Sequence, residues 1–201
     1  MRGYWGTQSD AGCFSLGLTK LISTGHGGFI VTRNRKTYEA MKLIRNYGVV
    51  DNFTDTWDQM GFNFKFTDLQ ASCGPVQLSR SAARIARLNE VYRRYASATS
   101  EHEFPFLDLI TVRVANGDLP VYLEALSSRR DDLIAFLDSR GIQVRPFAPS
   151  LHTSDYLNNS GDFSRSDMFH RQGMFLPRGP EQPLEDIERV IESLRLYERL
   201  A

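Results

Sequence analysis

Lys20 is the residue of this chain best suited by type and surroundings to covalent chemistry. It lies in the segment Cys13-Phe14-Ser15-Leu16-Gly17-Leu18-Thr19-Lys20-Leu21-Ile22-Ser23, which runs on through Thr24-Gly25-His26-Gly27-Gly28 into Phe29-Ile30-Val31-Thr32. One lysine stands among apolar residues, flanked by hydroxyls and followed by glycines. A solvated lysine keeps its proton up to a pKa of ~10.4. Desolvation would lower that value and free the amine to attack a carbonyl carbon. Ser15, five residues earlier, offers a hydroxyl that could hold a phosphate oxygen. Spacing alone, however, favours a surface lysine at a strand end beside a glycine turn.

Other chemistries find little support. His26, His102, His152 and His170 are scattered, and no two of them have the spacing of metal ligands on a helix face or knuckle. Cys13 and Cys73 form neither a disulfide framework nor a metal spacing, so a reducing, cytoplasmic setting is expected. No Gly-x-Ser-x-Gly elbow occurs. Gly25, Gly27 and Gly28 precede a strand rather than follow one, unlike a dinucleotide fingerprint. The sequons at Asn52 and Asn158 read as chance matches, because the start of the chain has no apolar secretory core.

The composition narrows the class further. With 201 residues, 24 basic against 24 acidic side chains and 41% hydrophobic residues, the chain can build a core and carries no basic excess for nucleic acid. No apolar run approaches the ~18–20 residues of a membrane span.

The elements that must position Lys20 follow from local signals. Ala11 to Leu16 and Phe29 to Thr32 read as strands around the glycine turn. Asn34 is an N-cap for a helix from Arg35 to Asn46 that Gly48 ends. A long helix starts near Thr67, with Gly74-Pro75 expected to kink or restart it. Ile110 to Val114, Val121 to Leu126 and Ile142 to Phe147 read as strands. Asp131 to Arg140 reads as an amphipathic helix stopped by Gly141, and Leu184 to Tyr197 as a final helix. A boundary is expected between residues 66 and 100.

The lysine segment resembles the lysine motif of the DegT/DnrJ/EryC1/StrS sugar aminotransferases, a group of pyridoxal-phosphate enzymes. Gly61-Phe62-Asn63-Phe64-Lys65-Phe66-Thr67-Asp68-Leu69-Gln70-Ala71 is similar to a second block of that family, and Gln77-Leu78 fits the helix after it. Two weaker blocks follow in order. One runs from Arg130-Asp131 through Gly141-Ile142 and Arg145-Pro146 to Leu151-His152; the other is Phe175-Leu176-Pro177 with the helix after it.

The resemblance implies an α/β fold that is the C-terminal portion of a pyridoxal-phosphate-dependent transferase. Residues 1–66 would be the remainder of the large domain's sheet, and residues 67–201 a long linking helix and a small α/β domain. It implies that Lys20 is the Schiff-base lysine and proton shuttle. Ser15 would contact the pyridoxal 5'-phosphate phosphate, and Asn63 would reach the phosphate of the neighbouring subunit's cofactor. It further implies a nucleotide-linked keto-sugar, an amino-acid donor such as glutamate, and a homo-oligomer or a hetero-oligomer with an N-terminal-half chain. Nucleic acid and membrane are not expected partners. His26 replaces the family's usual Glu, and Lys65 its usual Arg, which keeps the charge but loses the planar fork. The alternative within the same resemblance is a non-catalytic partner or relic that serves only as an interaction subunit.

Overall fold

A computed structural model of the chain describes residues 4, 6–51, 53, 56, 57, 59–101, 104–157 and 160–200. Asn52 and Asn158, the sequon asparagines, and His102 lie outside the described residues. The chain divides into two compact units, Met1–Ser81 and Ala82–Ala201.

The first unit opens with an antiparallel hairpin, β1 (Ala11–Ser15) paired with β2 (Gly28–Thr32) in the register Ser15↔Gly28 to Ala11↔Thr32. Gly28 is required at the narrow end, since a β-carbon there would lie 2.4 Å from the Phe14 carbonyl oxygen. Helix α1 (Arg35–Arg45) begins as expected: the Asn34 side chain accepts from the Thr37 amide. It ends as expected too, with Gly48 at φ +87° donating its amide to the Leu43 carbonyl at 2.8 Å. Helix α2 (Asp68–Ser79) is fastened by a capping box, in which Thr67 Oγ1 accepts from the Gln70 amide and the Gln70 side chain accepts from the Thr67 amide. Pro75 sits inside α2 without ending it. The helix restarts only after Arg80, as α3 (Ser81–Glu101), five residues later than the sequence suggested.

Among the described residues, Val49 is the one large apolar side chain of the first unit that is buried. Val50, Phe53, Met60, Phe64 and Leu69 are all more than 60% exposed.

The second unit is a four-stranded antiparallel sheet packed against helices. Its strands are β3 (Leu107–Leu109), β4 (Glu124–Ser127), β5 (Arg145–Pro146) and β6 (Gly173–Phe175), in the spatial order β3-β4-β6-β5. Helices α4 (Arg130–Ser139), α5 (Ser164–Gln172) and α6 (Leu184–Leu200) complete it. Helix α6 buries Ile187, Val190, Ile191, Leu194 and Tyr197, a spacing of three and four residues that forms one face. That face meets Leu133 and Leu137 of α4, Ala125 of β4, Met174 of β6, and Val91 and Tyr95 of α3 in a continuous core. Each buried valine, leucine, isoleucine or methionine of this core contributes roughly 1.5–3 kcal/mol by leaving water.

Three strand expectations shift. The expected strand 110–114 is displaced to 107–109. The chain leaves the sheet after the Ile110 amide bonds Glu124, and the next amide toward the core, that of Val112, donates to Tyr92 Oη at 2.8 Å. The strand expected at 121–126 is centred later, at 124–127. The strand expected at 142–147 shrinks to Arg145–Pro146, an edge position where a proline without an N–H is tolerated. Gly141 closes α4 with φ +69°, as the sequence indicates.

Candidate active site

Lys20 sits in a loop that β1 and β2 hold closed at its base. The Leu16 amide donates to the Gly27 carbonyl at 2.9 Å, and the Thr24 amide donates back to the Leu16 carbonyl at 3.0 Å. Within the loop, the Lys20 amide donates to the Gly17 carbonyl at 3.0 Å, which makes a tight turn of Gly17–Lys20. The Ser15 hydroxyl faces the same turn and accepts from the Gly17 amide at 3.2 Å. That bond uses a lone pair of Ser15 Oγ and leaves its hydrogen free to donate. Thr24 is buried and donates its hydroxyl to the His26 carbonyl at 2.9 Å. The loop therefore uses the backbone of His26, and the imidazole is exposed.

The apolar surroundings expected for Lys20 are absent from the first unit. Lys20 is exposed, and its neighbour Leu18 is 80% exposed. The turn carries the leucine and the lysine outward together, so nothing in this loop desolvates the amine.

The second block lies beside the glycine turn. Gly27, at φ +102°, approaches the ring of Phe66 so closely that a β-carbon would meet it at 2.6 Å. The segment 61–66 is itself fixed to the end of α1. The Phe62 amide donates to Ile44, the Tyr47 amide to Phe62 and the Phe64 amide to Arg45, at 2.7–3.1 Å. Asn63 forms an isolated antiparallel bridge with Asn46, and its side chain is exposed. Asn46 braces the turn after α1, donating from Nδ2 to the carbonyls of Val49 and Val50. Lys65 places its ammonium 4.4 Å from the centre of the Tyr47 ring. Tyr47 holds φ +60°, the one described non-glycine residue with positive φ.

Ser15 and Lys20 thus share one loop, while Asn63 stands on the adjoining strip. No local signal announces Phe66 against Gly27 or Tyr47 beneath Lys65; the αL residue at 47 becomes visible only through the Gly48 turn.

The donor set fits pyridoxal phosphate: an exposed primary amine for the aldehyde, and a serine hydroxyl with a free hydrogen for a phosphate oxygen. Among the described residues no cluster of His, Cys, Asp or Glu could hold a metal ion. Among the described residues no helix is long and apolar enough to cross a membrane. In the weaker third block, His152 Nε2 lies 3.1 Å from Asp167 Oδ1 and its ring stacks on Phe163, which ties residues 151–153 to α5.

Comparison with known proteins agrees with these motifs. Residues 2–195 match the DegT/DnrJ/EryC1/StrS aminotransferase family. The chain is 31% identical over 206 residues to GDP-perosamine synthase of Caulobacter vibrioides, covering 94% of this chain and 53% of that protein. It superimposes on S. venezuelae DesV with a TM-score of 0.82 and 26% identity, covering 96% of this chain and 53% of that one. It also matches an E. coli GDP-4-keto-6-deoxy-D-mannose-3-dehydratase with bound hydrated PLP, at a TM-score of 0.78 and 21% identity, covering 96% and 56%. The chain spans about half the length of the curated relatives it matches.

Proposed function

Because the chain belongs to the DegT/DnrJ/EryC1/StrS aminotransferase family, we propose that it is part of a pyridoxal-phosphate-dependent aminotransferase acting on a nucleotide-linked keto-sugar. The observation that carries this reading is the closed loop that holds both an exposed Lys20 and Ser15, each bonded to Gly17. Lys20 Nζ would bind the cofactor's aldehyde carbon. Once displaced by the substrate amine, the freed Nζ would carry a proton between the substrate carbon and the cofactor. Ser15 Oγ would donate to the cofactor phosphate. Asn63, presented from its bridge with Asn46, would reach the phosphate of a neighbouring subunit's cofactor. When bound, pyridoxal phosphate supplies an electron sink for the carbon that loses its proton.

In this reading residues 1–66 are the remainder of the cofactor-binding domain, and 67–201 the linking helix and small domain. The groups that stack on the ring and pair with its nitrogen come from sequence outside this chain, in a cytoplasmic dimer or hetero-oligomer. The amine of Lys20, exposed on this chain, would be desolvated by those elements.

The test is borohydride reduction with pyridoxal phosphate in the presence of the complementary half, followed by peptide mass spectrometry. The chain has only four lysines, at 20, 36, 42 and 65, so the adduct is readily assigned. Modification concentrated on Lys20 is expected; equal labelling of all four, with both parts folded, would defeat the reading.

A further inference from the structure

The second unit holds a cleft of about 670 Å³ remote in sequence from the lysine loop, between the end of β6, the turn after α4 and the start of α6. Three arginines line it: Arg145, Arg178 and Arg189. Arg178 is half-buried, with its guanidinium carbon 5.1 Å from the centre of the Tyr122 ring, and that ring is braced 5.5 Å from Phe175. Stacking occupies the face of a guanidinium and leaves its N–H edge free. Among the described residues no carboxylate pairs with Arg178, and desolvation pulls its pKa down from the ordinary value. Arg189 is anchored from α6 by donating to the Arg140 carbonyl at the end of α4, beside Gly141. One such bond leaves most of its five N–H groups unspent. Arg145 projects from the edge strand β5, in register with Phe175.

Keeping a partly desolvated cation unpaired costs stability unless something else meets it. Among the described residues Asp186 is the one carboxylate lining the cleft. Three arginines against one aspartate leave an excess of two positive charges. A phosphate dianion matches that excess in charge, and its oxygens match guanidinium edges in geometry. We propose that this cleft is a binding site for a phosphoryl dianion, held by the edges of Arg178 and Arg189 and closed by Arg145. The residues that form it belong to the second unit alone.

The test is a titration of the full chain with inorganic phosphate at constant ionic strength, read by NMR on the arginine Nε–H signals. Ser15→Ala serves as the background, to silence any phosphate held at the lysine loop. A saturable shift of the Arg178 signal is expected. Arg178→Gln should weaken phosphate at least about tenfold, as the loss of a charge-assisted hydrogen bond requires, and Asp186→Asn should strengthen it. Arg145→Gln provides a second reading at an exposed position, should the 178 variant fold poorly. Phosphate that leaves the Arg178 signal unmoved, or that binds Arg178→Gln and Arg145→Gln as tightly as the parent, would overturn the proposal.

Discussion

Gly48 and Gly61 run so close that a β-carbon added to Gly61 would lie 1.9 Å from the Gly48 nitrogen. A β-carbon on Gly48 would in turn lie 2.1 Å from the Gln59 carbonyl oxygen, at a φ of +87° that disfavours any side chain. This contact seats the strip carrying Asn63 against the end of α1. Gly61→Ala should therefore cost about 2 kcal/mol or more, since two backbones rather than a flexible side chain must part. Hydrogen exchange at the Tyr47 and Phe62 amides should rise in the variant while that of α6 stays unchanged. Unchanged protection at Tyr47 would show that the strip is held by other contacts.

Ser15 gives a second test. Its hydroxyl already accepts from Gly17, so its hydrogen is what a cofactor phosphate would use. Ser15→Ala should weaken pyridoxal phosphate in the assembled enzyme by about 1.5–3 kcal/mol, the worth of a hydrogen bond to a charged group. Ser15→Thr, which keeps the hydroxyl, should recover much of the affinity. Equal affinities for parent and alanine variant would remove Ser15 from the site.

These positions show what a sequence can reveal. Asn34, Gly48 and Gly141 were legible because a cap or a positive φ is decided by residues three or four apart. The motif around Lys20 was legible by likeness, and its exposure by spacing, which favours a surface lysine. The apolar surroundings that its sequence neighbours suggest do not form, because neighbours in sequence need not be neighbours in space. Pro75 reads as a breaker, yet α2 runs through it from a capping box that holds its start. Ile110 to Val114 reads as a strand, but a hydroxyl on α3, Tyr92, takes the Val112 amide. Helix α5 is not legible in the sequence, because Met168 and Phe169 are its only large apolar residues and stand side by side, leaving no helical period.

The first unit's exposed apolar side chains bear on association. Phe53 is 90% exposed, Val50 82%, Met60 79% and Phe64 64%, four large apolar side chains of one short stretch left in water. Light scattering of the chain alone should give dimers or larger species. Phe64→Glu should shift the distribution toward monomer and leave the second unit's unfolding unchanged. A clean monomer for the parent chain at tens of micromolar would count against a covered face.

Glu124 offers a test on the sheet of the second unit. Burial on β4 raises its pKa above the ordinary carboxylate value. A raised folded-state pKa means the folded form holds the proton more tightly than the unfolded one. Glu124 therefore favours folding below the unfolded pKa, and that benefit is lost as pH rises through the folded value. At neutral pH the buried charge is a burden, so Glu124→Gln should unfold at higher urea than the parent at pH 7. The two should converge when the pH falls below 4. A constant difference across that range would mean the carboxylate's charge is not the cause.

Tyr95 carries the same logic into the alkaline range. It is fully buried on α3 and donates its hydroxyl to the Pro177 carbonyl at 3.1 Å. Burial pushes its phenol well above the ordinary value, with the Glu188 charge adding to the shift. The unfolded phenol ionises near pH ~10, whereas the folded one stays protonated, so stability is complete below that pH and falls as pH rises beyond it. Tyr95→Phe should cost about 1 kcal/mol at pH 8, because the half-buried Pro177 carbonyl loses its donor. Between pH 8 and pH 11 the parent should lose urea resistance faster than the phenylalanine variant, narrowing the gap between them. Parallel losses in both proteins would mean that the Tyr95 proton is no more tightly held in the folded chain than in the unfolded one.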